Sequence, residues 1–161
     1  MNAPSRKERF LASIPQASIE AHGDTLAQRC KFNFSYFEKQ SASQDFDEWS
    51  APQLVKLLDK LKEYGKQALL HWQTETVGKS GTVLSIYGKF PTRSDFSVPK
   101  HVPHQALWGR FRIDHSSRLI GFVLPREYDA ERHASGARFD CNTFYVVFLD
   151  AEHRFYKSES A

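Results

Sequence analysis

The side chains best suited to chemistry sit late in this chain. Trp108-Gly109-Arg110-Phe111-Arg112-Ile113 alternates, so Trp108, Arg110 and Arg112 share one face of an extended strand and Gly109, Phe111 and Ile113 the other. Arg118 opens the next apolar run, and Glu152-His153-Arg154-Phe155-Tyr156-Lys157 follows a third. If these runs are neighbouring strands, Trp108, Arg110, Arg112, Arg118, His153, Arg154, Tyr156 and Lys157 gather on one side of a sheet. Arginine grips phosphate through paired hydrogen bonds, and aromatic rings stack on unpaired bases. Cutting RNA through its 2′-hydroxyl needs a base for the hydroxyl proton, an acid for the leaving oxygen and cations for the crowded phosphate. His, Tyr, Glu, Lys and Arg supply all three without metal. The same residues also admit a purely structural reading: Trp108 in a core, Arg110 and Arg112 on a solvated strand face, Tyr156 closing an edge.

Other constellations carry less. His101-Val102-Pro103-His104, with His115, His133, His153 and Cys141 elsewhere, invites a metal. However, Pro103 bars a helical presentation and no second ligand pair follows, so neither a metal nor another cofactor is expected. There is no G-x-S-x-G for a serine nucleophile. Val77-Gly78-Lys79-Ser80-Gly81 lacks the upstream glycine of a phosphate loop. Two long polar stretches, 91–105 and 125–141, are expected to be loops. The first carries Lys100 and His104 as auxiliary RNA contacts.

The elements that must position these residues follow from periodicity. Cys30 to Phe37 alternates and reads as a half-buried strand. Ser50 is the expected N-cap of a helix running to Tyr64, with Pro52 in its first turn, an apolar stripe Leu54, Val55, Leu57, Leu58, Leu61 and Tyr64, and Gly65 as a left-handed stop. Ala68 to Gln73 adds a short helix, and Thr82 to Phe90 another strand. Asp114 to Ser117 is a polar turn between the strands at 108–113 and 118–124. Phe144 to Leu149 is apolar on both faces and reads as a central strand. The predicted fold is α+β: an antiparallel sheet of four to five strands with one main helix packed on a face. Residues 1–29 form an arm, partly flexible, with a tail to Arg9 and an imperfect helix over Gln16 to Arg29. Residues 30–161 form a single domain.

Composition narrows the class. With 161 residues the chain suits one domain, and 13 phenylalanines favour strands around a ring-filled core. A net charge of +3 permits an acidic partner without demanding one. Two cysteines are too few for a disulfide framework, so reduced thiols are expected. No apolar run is long enough to span a membrane, and Phe10 to Pro15 is too short for a signal-peptide core. A cytoplasmic protein without a membrane partner is expected.

The order strand, helix, three antiparallel strands and a His/Tyr tail resembles the RelE/ParE toxin superfamily, and the RelE/YoeB-like mRNA interferases within it. The resemblance rests on Leu107-Trp108-Gly109-Arg110-Phe111-Arg112-Ile113, Arg118-Leu119-Ile120 and Glu152-His153-Arg154-Phe155-Tyr156. It implies a RelE-like toxin that cleaves messenger RNA, on the ribosome or free, and an antitoxin protein as partner. Arg118 then corresponds to the family's phosphate-stabilising arginine, and His153 and Tyr156 to its terminal acid/base group. Arg110 and Arg112 would hold the message backbone. His153 and Tyr156 are not adjacent as in YoeB-like members, and Val77 to Pro103 has no counterpart there. The alternative is a non-catalytic module that binds nucleic acid or protein through the basic loops and the Trp108 face.

Overall fold

The computed structural model describes residues 2–157. The outermost positions of the expected arm and domain, Met1 and residues 158–161, lie outside the described residues. Among the described residues seven strands and three α-helices form: α1 (Arg6–Ser13), β1 (Lys31–Asn33), α2 (Ala51–Tyr64), α3 (Leu69–Thr74), β2 (Thr76–Val77), β3 (Gly81–Thr82), β4 (Leu84–Gly88), β5 (Leu107–Arg112), β6 (Arg118–Val123) and β7 (Thr143–Asp150). Strands β1, β4, β5, β6 and β7 make one sheet in the order β1-β7-β6-β5-β4, and β2 and β3 pair separately.

The α+β class and the five-strand count match the expectation, but the sheet is mixed. β4 to β7 form an antiparallel meander, whereas β1 lies parallel to β7, with Phe32 opposite Phe144. Alternation reports which face a side chain takes and says nothing of strand direction. β7 is central, between β1 and β6, as its two-sided apolar pattern implies.

Each face of the sheet is covered differently. α2 and α3 cover the face carrying Leu84, Phe111, Ile113, Leu119, Phe144, Val146 and Leu149. Tyr64 of α2 stacks on Phe111 with centroids 4.9 Å apart. On the opposite face, Trp108, Ile120, Phe122 and Phe148 are covered by irregular chain: Phe96, Val102 and Ala106 from one loop, and Phe155 from the C-terminal segment. Stacked, tilted and edge-on rings fill this layer, including Phe90 against Trp108 and Phe155.

α2 begins at its Ser50 cap, whose hydroxyl accepts from the Gln53 amide while the Gln53 side chain accepts from the Ser50 amide. Two details differ from the expectation. Leu57 and Tyr64 are buried, but Val55 and Leu58 point to solvent, because the sheet receives a narrower stripe than the sequence offers. Gly65 ends the helix at φ −65°, so the stop is right-handed rather than left-handed. The arm is also rearranged. Arg6–Ser13 is helical, held by a reciprocal Ser5/Glu8 capping box, where a tail was expected. Within Gln16 to Arg29 only a 3-10 turn, Leu26–Gln28, forms in place of a helix.

Candidate anion-binding site

Register places the site. Arg112 pairs directly with Arg118 across β5 and β6, and Arg118 pairs with Asp150 across β6 and β7. Directly opposed residues bring their Cβ atoms to about 5 Å, with diagonal neighbours somewhat further. Arg110 lies diagonal to Arg118 on the same face and pairs with Ser85 of β4. A bulge in β4 between Ile86 and Gly88 leaves Tyr87 on the layer with Trp108 and Phe90. One end of the loop-covered face therefore carries a row: Tyr87, Arg110, Arg112, Arg118 and Asp150.

The C-terminal segment folds back over this row. The Asp150 carboxylate is 1% exposed and accepts the Arg154 amide at 3.0 Å and the Phe155 amide at 2.9 Å. This turn carries His153 at φ 61°, the only non-glycine residue with positive φ among the described residues. Phe155 then plugs into the core, and Tyr156 stacks on Tyr87 with centroids 4.6 Å apart and planes 16° from parallel. Asp95 fastens the segment's end by ion pairs to Arg154 (2.8 Å) and Lys157 (2.5 Å). We call residues 151–157 the strap.

Arg118 is the most unusual member. It is 5% exposed, and its Nη1 donates to the carbonyls of Asp114 (2.8 Å) and Ser117 (3.0 Å), tying the β5–β6 turn. Its Nε is buried and has no hydrogen-bond partner among the described residues. No carboxylate among the described residues forms an ion pair with Arg110, Arg112 or Arg118. Asp114 is turned instead to the Ser116 and Ser117 amides and to Lys56. Arg110 donates to the Thr82 carbonyl at 2.9 Å.

Titration follows from this crowding. Burial and the nearby Arg110 and Arg112 charges lower the Arg118 pKa from its ordinary value. Partial desolvation, then the Arg118 charge, lowers that of His153, so its imidazole is neutral at pH 7. Burial raises the pKa of Tyr87, and the adjacent Arg110 opposes the rise. Cys30 is no nucleophile: burial pushes its thiol up to about 11, and it donates to the Tyr64 carbonyl.

Of the residues singled out from sequence, Arg110, Arg112, Arg118, His153 and Tyr156 converge here. Others do not. Trp108 is 4% exposed and packed against Phe90, Phe122, Phe148 and Phe155, so its ring is closed to a base. Arg154 and Lys157 are paired with Asp95, and Arg154 also with Glu152, and act as strap fasteners. Lys100 and His104 line a separate groove of about 650 Å³ with Phe90, Val102 and Trp108, at the start of β5. Arg112 lies four residues beyond Trp108, about 13 Å along the strand. His101 does not join His104: it pairs with Glu38 at 3.3 Å and stacks on Tyr36. Sequence reasoning missed Tyr87 and Asp150. Alternation of Ser85 and Tyr87 would have found the first; the second, an acidic residue ending an apolar strand, gave no such signal.

The chain matches no protein-family model, no curated protein and no solved structure. Among the described residues, no three His, Cys, Asp or Glu side chains are grouped to hold a metal ion, and no helix is long and apolar enough to cross a membrane.

Proposed function

We propose that this protein is a RelE-like endoribonuclease that cleaves messenger RNA, free or on the ribosome, by acid/base chemistry. The observation that carries the reading is the arginine row, and above all Arg118, a buried cation with one donor unpartnered and no carboxylate bound to it. Holding such a group together against its own repulsion stabilises nothing in the free protein, since buried charges are ordinarily paired. A phosphate would supply the missing partner.

In this reading Arg110, Arg112 and Arg118 hold the scissile phosphate. His153, neutral at pH 7, takes the 2′-hydroxyl proton. The 2′-oxygen attacks phosphorus, the bond from phosphorus to the 5′-oxygen breaks, and the Tyr156 phenol protonates that oxygen. The products are a 2′,3′-cyclic phosphate and a 5′-hydroxyl end. A RelE-like toxin would also have an antitoxin, which we propose covers the basic row. The test is inducible expression in a bacterial host beside Arg110→Gln and Tyr156→Ala. Arrest of translation by the wild type alone supports the reading, and a harmless wild type removes it.

One observation favours a second reading, a non-catalytic nucleic-acid-binding module: Nη1 of Arg118 is already committed to turn carbonyls. Such a module would keep salt-dependent RNA binding after His153→Gln and cut nothing.

A further inference from the structure

The row has a charge count as well as a shape. Three guanidiniums, Arg110, Arg112 and Arg118, share one end of the loop-covered face with one carboxylate, Asp150. That carboxylate is spent on the strap's amides, and the neighbouring acids are engaged elsewhere: Asp114 with Lys56, Glu152 with Arg154, Asp95 with Arg154 and Lys157. His153 adds no charge at neutral pH. Two positive charges are left over in a partly desolvated place, where Coulomb attraction is stronger than in water.

A backbone phosphodiester carries one negative charge and matches only half of that excess. A phosphate monoester, or the phosphorane formed as a 2′-oxygen adds to a diester, carries two. We propose that the arginine row is selective for doubly charged phosphoryl groups, binding a terminal phosphate monoester in preference to an internal diester. The inference deepens the ribonuclease reading and rests on it for the identity of the natural ligand. It gives that site a preference for its transition state over its substrate. It also makes a cleaved RNA carrying a 3′-phosphate end a product inhibitor, once the cyclic phosphate has taken up water and opened.

The unpartnered Nε of Arg118 points to the same ligand. Nη1 holds the turn and Nη2 makes one long contact, 3.5 Å to the His115 carbonyl, so Nε and the second Nη2 proton form the edge left for a bidentate oxyanion. Nε is closed to solvent here, so occupancy requires the chain that covers it to shift.

Titration calorimetry of the full chain at pH 7.5 and constant ionic strength tests this, with three probes: inorganic sulfate, inorganic phosphate and dimethyl phosphate. Sulfate and phosphate are expected to compete for one site and to bind about tenfold or more tighter than dimethyl phosphate, as doubling the ligand charge requires. Arg118→Gln is expected to abolish the preference. Because that variant also loosens the turn, Arg112→Gln, which removes a half-exposed charge, is the second arm and is expected to weaken sulfate about tenfold. Equal affinity for all three probes, no binding, or unchanged binding in Arg112→Gln overturns the proposal. RNA cleavage without dianion preference sinks this inference and leaves the ribonuclease reading; dianion preference in a protein that cuts no RNA does the reverse.

Discussion

Gly121→Ala tests the frame that sets Arg118 beside Asp150. A Cβ at Gly121 would lie 2.1 Å from the Tyr145 carbonyl oxygen, 2.7 Å from a Phe144 ring carbon and 2.9 Å from the Tyr145 carbonyl carbon. Ordinary carbon–oxygen contacts begin near about 3.3 Å, so β6 and β7 must part by about 1 Å. Neither strand is free to move. β7 is paired on both sides, with β1 and β6, and β6 is buried along its whole length. Overpacking of this kind costs about 1–3 kcal/mol, and each ladder hydrogen bond lost adds about 1 kcal/mol. With two such bonds lost the destabilisation is about 3–5 kcal/mol. For a chain of this size each kcal/mol lowers Tm by about 2–4 °C, so a fall of about 6–20 °C is expected by differential scanning calorimetry. Gly23→Ala is the control: nothing lies within 4 Å of its Cβ, so its melting is expected to be unchanged. Melting of Gly121→Ala within 2 °C of wild type would refute the packing argument.

Three further outcomes are expected. Phe155→Ala, which empties a fully buried ring site, costs about 3–5 kcal/mol and frees the strap; limited trypsin digestion should then cut after Arg154 before global unfolding. Asp150→Asn removes a charged acceptor of two strap amides and costs about 2 kcal/mol in urea denaturation, while a neutral effect would mean that Phe155 and the Asp95 ion pairs hold the strap without it. His153 has a folded-state pKa below its unfolded value. Its unfolded form therefore takes up a proton first, and stability falls as pH drops below about 6.5. His153→Gln should flatten that part of the stability–pH curve, and an unchanged slope would show that His153 is as free to protonate in the fold as outside it.

The strands carrying the row were legible because alternation is a local property. Trp108, Arg110 and Arg112 lie on one face and Phe111 and Ile113 on the other, as their spacing requires. α2 was legible from Ser50, Pro52 and its stripe. What alternation cannot show is which face is covered, and by what. Trp108 and Arg110 read as one exposed face, yet irregular chain covers the Trp108 end and leaves the Arg110 end half open. The parallel pairing of β1 is a long-range choice with no local signature. α1 did have one, the Ser5-x-x-Glu8 spacing of a capping box. The strap has none, because its order comes from long-range partners: the buried Phe155 and Asp150, the Asp95 ion pairs and the Tyr87 ring.

The central claim is tested most directly by incubating the purified protein with a defined messenger RNA, free in excess chelator and on translating ribosomes in their magnesium buffer, and mapping the cut ends. We predict discrete cleavage leaving 2′,3′-cyclic or 3′-phosphate and 5′-hydroxyl ends, lost in Arg110→Gln and His153→Gln variants that still fold. Intact RNA under both conditions, or cutting that both variants retain, would contradict it.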